Sequence, residues 1–194
     1  MSSFLSEPES TPATQALYDG DLEGDGYVMN LTRVWAHHPQ LMDTFSALAG
    51  QATEAGGLTF RQRGVLVSAT AAARGDSYCS LAWGARLASA SDPAVAASVL
   101  RGTDEGLDES ERVMAAWARK VVRDPNGTTP DDVQALRDAG FDDAQIMAMT
   151  LYVTLRLAFS SVNGALGARP DKELGEAAPA EVTGAVDYGR PVAD

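Results

Sequence analysis

The chain has 194 residues, 45% of them hydrophobic, which is enough for one substantial core and sets a single domain as the expectation. With 27 acidic against 15 basic side chains the formal net charge is -12, a field that repels nucleic-acid phosphates and anionic lipid heads, so neither is expected as a partner. The single cysteine, Cys79, excludes an intrachain disulfide and any metal site built from several cysteines of one chain, and it suits a reducing cytoplasm.

Taken in chain order, residues 1–14 are rich in Ser, Glu, Pro and Thr, with little to bury, and read as a flexible arm or one laid on a neighbouring subunit. They carry no basic region followed by an apolar stretch and a small-residue cleavage site, so no secretion signal is expected. Residues 15–175 read as one helical domain and residues 176–194 as a C-terminal tail. Pro39 opens a helix that Gly56-Gly57 stop, and Thr59 with Gln62 forms a capping box for a helix ending at Gly75. Asp76 or Ser77 caps the next, to about Ala88, and Asp92-Pro93 starts a short one to Arg101. Asp108 with Glu111 caps a helix to Arg123. Thr129-Pro130 begins one that Gly140 closes, and Asp142 with Gln145 caps the last long helix, to about Leu166. The punctuation predicts an all-α bundle of seven or eight helices.

Two helices are apolar nearly all round, Val65 to Ala73 and Ile146 to Phe159, which predicts the middle of a bundle or an oligomer interface. The most apolar window, Ala144 to Val162, is interrupted by Gln145, Thr150, Thr154 and Arg156, so a core helix is expected in place of a membrane span.

Chemistry concentrates at Gly75-Asp76-Ser77-Tyr78-Cys79-Ser80-Leu81-Ala82-Trp83-Gly84. With Asp76 as N-cap, Cys79 falls in the first turn, where unpaired N–H groups favour an anion and lower a thiol pKa. The Asp76 carboxylate opposes that effect, and no Lys or His stands in the same turn, so sequence leaves the net sign open. Equally open is whether Cys79 is a small buried hydrophobe with Asp76 merely its cap. Trp83 lies one turn on and offers an apolar wall beside the sulfur, or simply core packing. Tyr78 offers a hydrogen bond to a ligand, or packs with its hydroxyl wet. The two histidines, His37 and His38, are adjacent, so their rings diverge and make no metal site alone. A ring turned toward the thiol would supply a base or a substrate contact. No phosphate-binding glycine loop, serine nucleophile elbow, calcium loop or zinc spacing is present, and no metal or cofactor is expected.

The stretch Leu58-Thr59-Phe60-Arg61-Gln62-Arg63 before an apolar helix, followed by Asp76-Ser77-Tyr78-Cys79, resembles the core of the alkylhydroperoxidase-D and carboxymuconolactone decarboxylase superfamily. Gly26-Tyr27-Val28-Met29-Asn30-Leu31 with Ala36-His37-His38-Pro39, the segment Asp124 to Asp143, and Asn163-Gly164-Ala165-Leu166-Gly167 are similar to its peroxidase-related subgroup. The resemblance spans about Tyr27 to Asp171. It implies a helical protomer assembled as a homotrimer or homohexamer, with a small-molecule substrate bound near subunit contacts. In redox members a C-x-x-C pair opens a helix, and a histidine and a glutamate relay protons. Here Cys79 matches the attacking cysteine, while Asp76, Trp83 and Gly64 stand at the resolving-cysteine, histidine and glutamate positions.

Without a second cysteine, a sulfenate on Cys79 needs an external thiol reductant. Three readings follow: a one-cysteine peroxide or thiol-dependent reductase; a non-redox enzyme in which Asp76 transfers protons in decarboxylation, isomerisation or ring chemistry; and a non-catalytic binding protein.

Overall fold

A computed structural model describes residues 3–194. Among them are eleven α-helices and a single 3-10 turn, with no strand. The seven helices expected from the sequence are α3 (Pro39–Ala55), α4 (Phe60–Arg74), α5 (Ser77–Ala90), α6 (Pro93–Arg101), α7 (Glu109–Arg123), α8 (Pro130–Asp138) and α9 (Asp143–Ala165). Their starts are those of the capping residues: Thr59, Asp108 and Asp142 each accept from the N3 backbone amide while Gln62, Glu111 and Gln145 reach back. Four more helices exceed the expectation: α1 (Pro12–Gly24), α2 (Asn30–Trp35), α10 (Lys172–Ala177) and α11 (Ala180–Thr183).

Helix α4 is the axis of the single domain. Eight consecutive residues, Gly64 to Ala71, are buried, because α5, α6, α7 and α9 pack around it. Helix α9 meets the all-round apolar expectation only in part. Its inner face buries Ile146, Met149, Tyr152, Val153 and Phe159 against α3, α4 and α7, but Met147 on the other side is 63% exposed. By length and apolarity alone α9 would also cross a membrane.

Both ends of the chain are pinned at the positions described. Phe4 donates its amide to the Leu166 carbonyl at 2.8 Å, and Thr11 caps α1. The segment 176–194, read as a tail, folds back onto α5 and α6, where Val182 of α11 is fully buried. Gly84 makes this possible, since a side chain there would place its first carbon 2.7 Å from Val182 Cγ1 and 3.0 Å from Leu100 Cδ1. Farther on, Tyr188 and Ser80 share a hydrogen bond of 2.9 Å between their hydroxyls, and Ser77 Oγ donates to the Arg190 carbonyl at 2.6 Å.

A bulky substitution at Gly84 therefore tests whether the tail is part of the fold. Gly84→Val should cost about 1–3 kcal/mol by overpacking, read as a fall of several degrees in Tm with faster proteolysis after residue 178. A Tm unchanged within error would show that the tail adds nothing to stability.

Candidate functional site

The site begins where α4 ends. Gly75 adopts φ +72°, a left-handed conformation that turns the chain sharply, and Asp76 follows as N-cap of α5, accepting the Cys79 amide at 3.2 Å. Its second oxygen accepts the Ser160 hydroxyl from α9. Asp76 thus fastens the start of α5 to α9 and fixes Cys79 as the third residue of the helix.

Cys79 is 3% exposed. It lies on the wall of a cavity of about 530 Å³ shared with Met29, Leu31, Tyr78, Trp83, Arg156 and Phe159. Arg156 Nη2 stands 3.5 Å from Sγ. The Arg156 guanidinium is held between aromatic faces, 4.8 Å from the Phe159 centroid and 5.5 Å from that of Trp83. Arg86 lies over the Trp83 ring at 5.4 Å.

Burial pushes the Cys79 thiol up from an ordinary 9.0 to about 12; the Asp76 charge adds to the rise and Arg156 opposes it. The folded pKa exceeds the unfolded one, so this thiol's contribution to stability is intact below about pH 9 and is lost as pH climbs toward 12.

The sequence-predicted residues divide. Cys79, Tyr78 and Trp83 line one cavity. Asp76 lies beside the sulfur but lines a neighbouring cavity of about 350 Å³ with Ser77, Ser160, Asn163 and Arg190. His37 and His38 are exposed and line neither cavity; His37 Nε2 makes a 3.1 Å contact with the Ser6 carbonyl oxygen. The Tyr78 hydroxyl donates to the Asp171 carboxylate and accepts the Leu31 amide at 3.4 Å. Burial and the Asp171 charge hold that phenol protonated far above its ordinary range, so it offers a ligand its ring and not its proton. No group of three metal-ligating side chains occurs among the described residues.

Arg156 and Ser160 escaped the sequence reading. The available signal was a lone guanidinium inside an otherwise apolar helix, a placement that costs free energy unless something nearby uses the charge. Gly64, at the relay-glutamate position that the resemblance implies, is closed in the fold: a first side-chain carbon there would lie 3.1 Å from Leu87 Cβ. Any acid at that point would require Leu87 on α5 to shift.

No protein-family profile matches the chain, and no curated protein matches its sequence. Solved structures do. An uncharacterized peroxidase-related protein of Ralstonia eutropha JMP134 with an alkylhydroperoxidase AhpD core is 26% identical with a TM-score of 0.80, over 90% of this chain and 95% of that one. A peroxidase-related protein of Silicibacter sp. TM1040 is 23% identical with a TM-score of 0.78, over 89% and 94%. The debrominase Bmp8, as a cysteine-to-alanine variant in complex with 2,3,4-tribromopyrrole, shares the fold at 14% identity and a TM-score of 0.72, over 89% and 95%. An all-helical bundle is the fold that these structures share with this chain. This chain has the fold of the alkylhydroperoxidase AhpD core and is similar to peroxidase-related proteins that share it.

The burial of Cys79 is measurable by alkylation. Iodoacetamide should react slowly at pH 7, with a rate rising about tenfold per pH unit through pH 10 and no plateau below pH 11. Asp76→Asn, which removes the opposing charge, should raise the rate at pH 9, and Arg156→Met should lower it. A wild-type plateau below pH 9 would mean that burial does not govern this thiol.

Proposed function

We propose that this protein is a one-cysteine, thiol-dependent reductase of a small organic substrate, with Cys79 as nucleophile and an external thiol as reductant. The observation that carries the reading is the Arg156 guanidinium 3.5 Å from the Cys79 sulfur on the wall of a largely apolar cavity. A cation at that distance stabilises the thiolate as it forms and then the developing charge of a leaving group.

With an organic hydroperoxide the steps balance as follows. The thiol proton passes to solvent while Arg156 steadies the forming thiolate, and the sulfur attacks the outer peroxide oxygen. The O–O bond breaks, and the departing alkoxide collects a proton from solvent to leave as the alcohol, with Cys79 oxidised to a sulfenic acid. One external thiol then forms a mixed disulfide with loss of water, and a second restores the Cys79 thiol and leaves as the external disulfide.

The raised pKa selects among substrates. At about 12, only roughly one thiol in 10⁵ is ionised at pH 7. Relative to an ordinary thiol the thiolate is about a thousandfold rarer, and its greater nucleophilicity recovers only about 20-fold. Rapid scavenging of free hydrogen peroxide is a poor match for that balance. A bound organic electrophile, held against the sulfur by Trp83 and Phe159, gains from orientation what ionisation withholds. Because a debrominase shares the fold, small brominated rings belong among the electrophiles to test.

A non-redox enzyme using Asp76 directly is less well supported, since both Asp76 oxygens are engaged and the residue lines a separate cavity. The reductase reading extends to a reducing cytoplasm and to assembly as a homotrimer or homohexamer.

The test is consumption of cumene hydroperoxide and of a brominated pyrrole with dithiothreitol in excess. Wild type should turn over one of them, Cys79→Ala should fall to the uncatalysed rate, and Arg156→Met should lose about 10²-fold or more. Trapping with dimedone should add one label per chain only when Cys79 is present. Turnover that survives Cys79→Ala sinks the proposal, as does a wild type inert toward both substrates.

A further inference from the structure

A third cavity, of about 270 Å³, lies on the far side of Arg156, between α3, α4, α5 and α9. Its walls are Met42, Phe45, Trp83, Tyr152 and Phe159, and it contains two guanidiniums, Arg63 and Arg156. Both are half-buried. Neither takes part in an ion pair among the described residues, and neither donates to an oxygen. The Nε of each is shielded from water without any partner. Among the other half-buried arginines, Arg61 is neutralised by Glu111, Arg119 by Asp104, Arg33 by Glu7 and Arg169 by Asp194, while Arg190 donates to the Gly164 carbonyl.

Two partly desolvated cations without a counter-charge are costly, and costlier side by side. In a chain with twelve more acidic than basic side chains, carboxylates are plentiful, yet none is supplied here. The cations are instead braced by aromatic rings: Arg63 over Phe60 at 5.3 Å, Phe60 against Trp83 at 6.3 Å, and Arg156 over Trp83 at 5.5 Å. The Arg156, Arg63 and Arg86 charges all bear on the buried Tyr152 hydroxyl. A guanidinium presents five donors in a planar fork that matches a carboxylate, and the remaining walls combine aromatic and apolar side chains with Ser46 and Thr53.

We infer that this cavity is a binding site for a small monocarboxylate with an apolar body, its carboxylate held by Arg63 and Arg156. The site is distinct from the Cys79 cavity but shares Arg156, Trp83 and Phe159 with it. An acid bound there draws on the same charge that steadies the sulfur, so its occupancy and the reactivity of Cys79 are coupled through one side chain. The inference rests on the two arginines and stands whether or not Cys79 is redox-active.

The experiment is calorimetric titration of the full chain, and of its Cys79→Ala variant, with sodium benzoate and with benzamide, a neutral molecule of the same shape. Benzoate should bind both proteins at least tenfold more tightly than benzamide. Arg63→Gln and Arg156→Gln should each weaken benzoate at least tenfold, Arg63→Lys less, and the exposed Arg101→Gln not at all. The wild-type comparison needs no variant, and circular dichroism separates misfolding from lost contacts. Equal binding of benzoate and benzamide, no binding of either, or full benzoate affinity in a folded Arg63→Gln protein overturns the inference. So does a sedimentation profile in which Arg63→Gln dissociates an oligomer while benzoate fails to bind, because the acid would then come from a second copy of the chain.

Discussion

The carboxylate of Asp76 is the joint on which the site is assembled. One oxygen caps α5 through the Cys79 amide, and the other accepts the Ser160 hydroxyl of α9, so the two helices are tied at one residue, close to where Arg156 of α9 meets the Cys79 sulfur. The left-handed turn at Gly75 delivers Asp76 to that position, and Gly189 of the C-terminal segment lies over it, 2.7 Å from the Ser77 amide measured from where a side chain would start. Because the cap fixes the first turn, the backbone that carries the sulfur is held in place. The same charge that orders the helix also discourages the thiolate, so structural and chemical roles of Asp76 pull in opposite directions.

The relative sizes of three effects explain the state of Cys79. A helix N-terminus contributes about 0.3–1 kcal/mol, or near 2 in favourable geometry, toward an anion, which is at most about one and a half pKa units. Full burial shifts an acid upward by as much as 3–5 units. Arg156 recovers part of that difference, yet burial and Asp76 win and the thiol sits near 12. Reading the helix start from sequence gave the smaller effect. The larger one depended on α2 and α9 closing over the sulfur, through Leu31, Val34 and Phe159, none of them near it in the chain.

This separates what was legible from what was not. Helix starts are written within four residues, in pairs such as Thr59 with Gln62 or Asp108 with Glu111, so α3 to α9 could be placed from sequence. Helix α1 carried an equally local sign, Thr11 before Pro12, which the polar composition around it obscured. Helix α11 had no local sign at all: four residues are held by Val182 entering a gap that exists because residue 84 is glycine. In the site, Tyr78, Cys79 and Trp83 were found together because one helix carries them. Arg156 was seen only as an interruption of an apolar run, because its partner lies 77 positions away and spacing says nothing about that distance. The histidines attracted interest by residue type alone, and the chain leaves them on the outside of α3.

Net charge and local charge also give different answers about ligands. A total of -12 spread over the surface repels anions at long range, but ions screen that field beyond about 8–10 Å. Within the fold, Arg63 and Arg156 stand in a less polar medium where a contact ion pair counts for several times what it does in water. The distant field therefore slows the arrival of an acid without deciding whether it stays. Discrimination passes to the cavity walls, since a highly charged polyanion is held off by the surface and finds too little room between Met42, Phe45 and Tyr152. A singly charged acid with an apolar body meets a small barrier outside and two unpaired guanidiniums inside, which makes the acidic surface a filter on ligand charge and not a bar to anions as such.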